Sequence, residues 1–78
     1  MEHIDVERVL KMVVDSSGKS RQQVSSELGR FRTYIQTTLG KKTVPGLAVT
    51  AQICDVCGYD LVLVNRKTDE RFLVDPPK

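Results

Sequence analysis

Four residues near the middle of the chain, Arg32, Thr33, Gln36 and Thr37, carry side chains suited to the edges of bases in duplex DNA. A guanidinium donates two parallel hydrogen bonds to guanine. A carboxamide both donates to and accepts from adenine, and threonine brings a hydroxyl and a methyl group. Their spacing decides whether they act together. Phe31, Ile35 and Leu39 recur at every fourth position, which predicts a helix over 31–39 with those three on its inner face. The four polar residues then share the outer face. A solvated helix of an ordinary domain has a similar composition, so residue types alone leave both readings open.

Charge favours the first reading. Between Gly18 and Pro45 stand six basic residues, Lys19, Arg21, Arg30, Arg32, Lys41 and Lys42, against one acid, Glu27. The 78-residue chain as a whole has a formal net charge of only +2. Positive charge is therefore gathered on one segment and nearly balanced elsewhere, as binding to a phosphate backbone requires.

A second helix is predicted just upstream, over 20–28. Ser20 is a good N-cap, and Gln23 three residues later completes a capping box in which each side chain satisfies the other's backbone N–H. Val24 and Leu28, four apart, share its inner face. Gly29 can take the left-handed conformation that ends a helix, so Leu28-Gly29-Arg30 reads as a tight connection between the two helices. Two short helices so joined, the second with basic and amide side chains outward, form the outline of a helix-turn-helix. Lys41, Lys42 and Thr43 leave the end of the second helix on a loop, where phosphate contact is expected, although two lysines on a loop are often only solvated.

The stretch from about Val6 to Tyr59 resembles the lambda-repressor-like (Xre) helix-turn-helix proteins of phages and bacteria. The resemblance is carried by Ser20-Arg21-Gln22-Gln23-Val24-Ser25, a capped helix with an apolar residue followed by a small one, then by Leu28-Gly29, Ile35 and Pro45. It implies that Arg21 and, on the recognition helix, Arg32, Thr33, Gln36 and Thr37 face base edges or nearby phosphates. It also implies that Ser20, Tyr34, Lys41, Lys42 and Thr43 lie nearer the DNA backbone. The chain departs from the family pattern at Arg30, usually apolar, at Phe31, usually a small polar cap, and at Leu39, often acidic.

The elements around this unit follow from the same rules. A first helix is expected over 5–16, with Asp5 as N-cap, an Ile4–Val9 staple, and Val6, Val9, Leu10 and Val13 on one face. A fourth is expected over 45–57, with Pro45 in its first turn, a buried stripe of Leu47, Thr50, Cys54 and Cys57, Ala51 and Ile53 at the margins, and Gly58 at its end. Cys54 and Cys57 form a C-x-x-C. Zinc would need two further ligands, and the chain offers no second cysteine pair and a single distant histidine, His3. A redox pair usually opens a helix, where the dipole lowers a thiol pKa, whereas this one closes a helix. Buried structural thiols are the expectation, with no metal and no cofactor, and unpaired cysteines suit a reducing compartment.

Residues 59–75 read as a β-hairpin: a strand over 59–64, a turn region over 66–70 and a second strand over 71–74, with Pro76-Pro77 ending the pairing. Leu61 and Leu63 point one way while Val62 and Val64 point the other, so both faces are apolar. One small helical unit covers at most one face. Leu61, Val62, Leu63, Val64, Phe72 and Val74 are therefore expected to meet a second copy of the chain, in a sheet at least partly shared between protomers. The alternative is a hairpin packed on its own first and fourth helices.

The expected fold is mainly α, a four-helix lambda-repressor-like unit with a C-terminal β-hairpin, spanning 1–78 as one domain. No signal-peptide or membrane-spanning run is present in the sequence, which points to the cytoplasm. No nucleophile with a paired base, phosphate loop or carboxylate pair is visible, so an enzyme is not expected. The function expected is a homodimeric DNA-binding transcriptional regulator, a repressor, that recognises two-fold-related half-sites on double-stranded DNA. The alternatives are an antitoxin that also neutralises a toxin partner, or a protein-interaction module on the same fold.

Overall fold

The helix α1 (Val6–Ser16) forms because apolar residues fall three and four apart along it. Leu10, Val13 and Val14 make its buried stripe, and Val9 packs at the margin. The computed structural model describes residues 2–40 and 45–77, and within them α1 is followed by α2 (Arg21–Glu27), α3 (Tyr34–Gly40), α4 (Leu47–Val56), β1 (Leu61–Val64) and β2 (Arg71–Val74). Four helices and a terminal antiparallel hairpin are thus present in the expected order. Asp5 is the α1 N-cap by position, but its side chain accepts no capping bond. Val6, expected on the inner face, is exposed, and Val14 takes the buried place instead. The stripe is simply set one turn further along the helix.

One cluster of side chains joins the helices. Leu10, Val13 and Val14 of α1, Val24 of α2, Ile35 of α3, and Ile53, Cys54 and Cys57 at α4 and its end are buried together. Each fully buried aliphatic side chain contributes about 1.5–3 kcal/mol relative to exposure. The helix α4 packs against both α1 and α2, which is why it is apolar on more than one side. Ala51 and Ile53, expected at the margins, are buried for that reason, whereas Leu47, expected on the stripe, stands exposed at the helix start. Pro45 lies outside the helix, one residue before its N-cap Gly46, so the first turn begins two residues later than the sequence suggests.

Two helices end in the same way. At α2 the Gly29 N–H donates to the carbonyl of Ser26 and the Arg30 N–H to that of Ser25, both at 2.9 Å, with Gly29 at φ 72°. At α4 the Gly58 N–H donates to Asp55 and the Tyr59 N–H to Cys54, with Gly58 at φ 82°. These are Schellman closures, which use a left-handed glycine to satisfy otherwise unpaired carbonyls. After the second, Tyr59 fastens the tail to α1. Its hydroxyl hydrogen-bonds Ser16 and reaches the Met12 sulfur at 3.7 Å.

The hairpin pairs Leu61 with Val74, Val62 with Leu73, Leu63 with Phe72 and Val64 with Arg71. Its first strand begins at Leu61, because Tyr59 and Asp60 are taken up by the helix closure and the connection. The loop is organised by Asn65, whose side-chain oxygen accepts from the Lys67 N–H at 2.9 Å, an Asx turn. Asp69, at φ 59°, completes the reversal, and its N–H donates to the Asn65 carbonyl. Leu63 and Phe72 lie on one face with Leu61 and Val74, while Val62, Val64 and Leu73 lie on the other. Val62, Leu63, Val64, Phe72 and Leu73 are each 41–60% exposed. Leu61 and Val74, paired at the base of the hairpin, are half-buried, but beyond them the hairpin is not packed down on α1 and α4, and most of both faces and both edges are open among the described residues.

Candidate nucleic-acid interface

Val24 and Ile35 bring α2 and α3 together as their fully buried contacts, and Ser25 fixes how the two meet. The Ser25 hydroxyl is wholly buried, donates to the Arg21 carbonyl at 2.8 Å and accepts from the Ile35 N–H at 3.0 Å. An amide in the first turn of a helix has no partner within that helix. Ser25 supplies one from the neighbouring helix, so the start of α3 is held at a set place relative to α2.

The first turn of α2 is also fixed. Ser20 is its N-cap and its hydroxyl accepts from the Gln23 N–H at 3.0 Å. The reciprocal half of the expected capping box, from the Gln23 side chain to the Ser20 N–H, is not formed among the described residues. Gln23 is exposed and Ser20 alone provides the cap. Arg21, the first residue of α2, is exposed and forms no ion pair among the described residues.

The helix α3 starts at Tyr34, three residues later than periodicity predicts. Phe31 is the reason: instead of lying on the inner face with Ile35 and Leu39, it is 90% exposed. The Arg30 amide is already committed to Ser25, and the Tyr34 N–H closes a turn onto the Phe31 carbonyl at 2.9 Å. Regular helical bonding opens with the Thr37 N–H to the Thr33 carbonyl. Arg32 and Thr33 consequently sit in the turn that leads into α3, not on the helix, although both are exposed. The connection between α2 and α3 covers residues 28–33 and is longer than the three residues expected.

Of the proposed base readers, Gln36 and Thr37 lie on α3 and are exposed opposite buried Ile35, while Arg32 and Thr33 adjoin its N-terminal end and Arg21 begins a different helix. Of the proposed phosphate contacts, Ser20 is the exposed α2 cap. Tyr34 is half-buried against the core, with the Arg30 guanidinium 5.2 Å from its ring centroid. A cation over an aromatic face at that distance is attracted by the ring quadrupole. Lys41, Lys42 and Thr43 lie outside the described residues. No family model, curated protein or solved structure matches the chain. The site therefore stands on its own geometry and charge.

Lys19 is a correction to the basic segment. Its ammonium is 2.9 Å from one Glu27 oxygen and 3.0 Å from the other, and donates to the Val56 carbonyl at 2.9 Å. It neutralises the segment's one acid and ties α2 to the last turn of α4. Sequence spacing gave no sign of this, because Lys19 and Val56 are far apart along the chain. Arg21, Arg30 and Arg32 remain as the described cations of the segment. Phe31, named in none of the expected DNA contacts, is the large apolar side chain between Arg30 and Arg32 in the chain.

Cys54 and Cys57 are buried in the core as free thiols. Burial raises the Cys54 pKa above its ordinary value, with a further rise from Cys57 beside it. Burial also raises that of Cys57 and outweighs the opposing effects of Ser17 and Lys19. Both positions fit side chains that pack and stay protonated. Among the described residues no helix is long and apolar enough to cross a membrane.

Proposed function

We propose that the chain is a sequence-reading, double-stranded-DNA-binding regulator of the lambda-repressor-like kind, acting as a homodimeric repressor. The observation that carries this reading is the rigid α2–α3 pair, locked by Ser25 and Ile35, with Arg21, Arg30, Arg32, Gln36 and Thr37 outward. In this reading α3 enters the major groove. Gln36 and Thr37 address base edges from the helix, and Arg32 and Thr33 address them from the turn at its N-terminal end. Arg21 reaches base edges or nearby phosphates from the start of α2, and Ser20, Tyr34, Lys41, Lys42 and Thr43 meet phosphates and set the register.

The hairpin supplies the second half of the reading. A lone two-stranded hairpin is marginal in water, and this one leaves five large apolar side chains exposed on two faces. Association with a second copy of itself pairs an open edge, takes apolar surface from water and supports two-fold-related half-sites about 34 Å apart, one helical turn of DNA. The same open hairpin favours an antitoxin as the second reading, with a toxin chain as the occupant. Sedimentation of the isolated chain tests the first, which requires a dimer of this chain alone.

The DNA reading is tested by titrating the protein against a generic duplex over a range of salt. Log affinity should fall linearly with log salt, with a slope of about 0.9 for each phosphate neutralised. Binding that ignores salt, or no binding at low salt, contradicts it.

A further inference from the structure

Phe31 stands out because its surroundings do not explain its exposure. It is 90% exposed, lies between Arg30 and Arg32 in the chain, and lines a shallow open depression with Gly29, Arg30 and Tyr34. Neither neighbouring arginine is salt-bridged among the described residues, and Glu27, the one acid of the basic segment, is paired with Lys19. Two arginines without a carboxylate partner flank the ring in the chain, so its surround is strongly positive. It suits a polyanionic surface with isolated apolar points, and duplex DNA is such a surface. Its major groove carries one apolar group, the thymine 5-methyl.

We propose that Phe31 is a specificity-determining residue whose ring packs on a thymine methyl group in the major groove. The inference rests on the DNA-binding reading and adds to it a contact that the polar residue types do not supply. Phe31 immediately precedes Arg32 and Thr33 at the N-terminal end of α3, and that end of a recognition helix is the part that touches base edges. Wedging between base pairs is the other common use of an exposed phenylalanine, but it belongs to minor-groove binders. The preference is therefore for a methyl-bearing position in each half-site, read by an apolar face beside the Arg32 donor.

The test uses the full chain and the duplex it selects from a random pool, with each thymine of a half-site replaced in turn by deoxyuridine, which removes only the methyl. The parent protein should lose affinity about fourfold at one position per half-site, the effect of one buried methyl group. Phe31→Ala should bind the thymine and uracil duplexes alike, and a thermal melt should show its fold intact, since the side chain is outside the core. Equal parent affinity for every thymine and uracil duplex overturns the inference while leaving DNA binding in place. So does a Phe31→Ala protein that keeps the parent's sensitivity. A Phe31→Ala protein that loses its dimer at unchanged base preference moves the residue to a protein interface and also overturns it. Selection of no duplex at all removes the DNA reading and the thymine contact together.

Discussion

Ser25 completes the helix of Ile35. Its buried hydroxyl accepts the Ile35 N–H at 3.0 Å, so a side chain of α2 satisfies the backbone at the beginning of α3. Small size lets the two helices approach here, and the hydroxyl stops that approach from stranding an amide. Ser25→Ala keeps the size and removes the acceptor. It should lower unfolding free energy by about 1–3 kcal/mol, because a buried donor is left unpaired. Urea denaturation measures this, and a change within about 0.5 kcal/mol, the range of neutral surface substitutions, would contradict the capping role.

Lys19 should behave differently from the other cations of its segment. Its charge is engaged by Glu27 and the Val56 carbonyl, so Lys19→Met should leave the salt dependence of DNA binding unchanged. The stability cost should be about 1 kcal/mol or less, as both partners are partly exposed. A fall of about one unit in the salt slope would show that Lys19 touches phosphate after all.

These two residues mark the limit of what the sequence conveys. Helix number, order and the hairpin were legible because glycine closures at Gly29 and Gly58, the Ser20 cap and the buried positions Val24, Ile35, Cys54 and Cys57 are local signals. Val14 was within reach too, four residues after Leu10 on the same stripe. The start of α3 was not. Phe31 matches the four-residue period of Ile35 and Leu39, and nothing local says that the chain is still turning there. The roles of Lys19 and Ser25 depend on which helices meet, which spacing along one helix does not encode.

Base readers and phosphate-binding residues should separate under mutation. Arg32→Ala or Gln36→Ala should cost about 1–3 kcal/mol on the preferred site and relax the choice of base there. Lys41→Ala or Lys42→Ala should weaken all duplexes alike, and each removed ammonium should flatten the salt slope by about one unit. Competition binding against single-base variants checks both. The same uniform loss of affinity from all four changes would contradict the division of roles.

The hairpin predicts a truncation result. Its strands pack chiefly on each other, so a chain ending at Asp60 keeps the helical core and its Tyr59 anchor. That chain should melt cooperatively and sediment as a monomer, whereas the full chain should sediment as a dimer. A truncated dimer would place the interface on the helices instead.

The central claim, that α2 and α3 present a sequence-reading surface in two copies, is tested most directly by selecting bound duplexes from a random DNA library at low and at physiological salt. A two-fold-related motif should be enriched and should persist at the higher salt, with half-site centres about one helical turn apart. Enrichment of no motif, with binding lost as salt rises, would contradict it and leave only a basic surface.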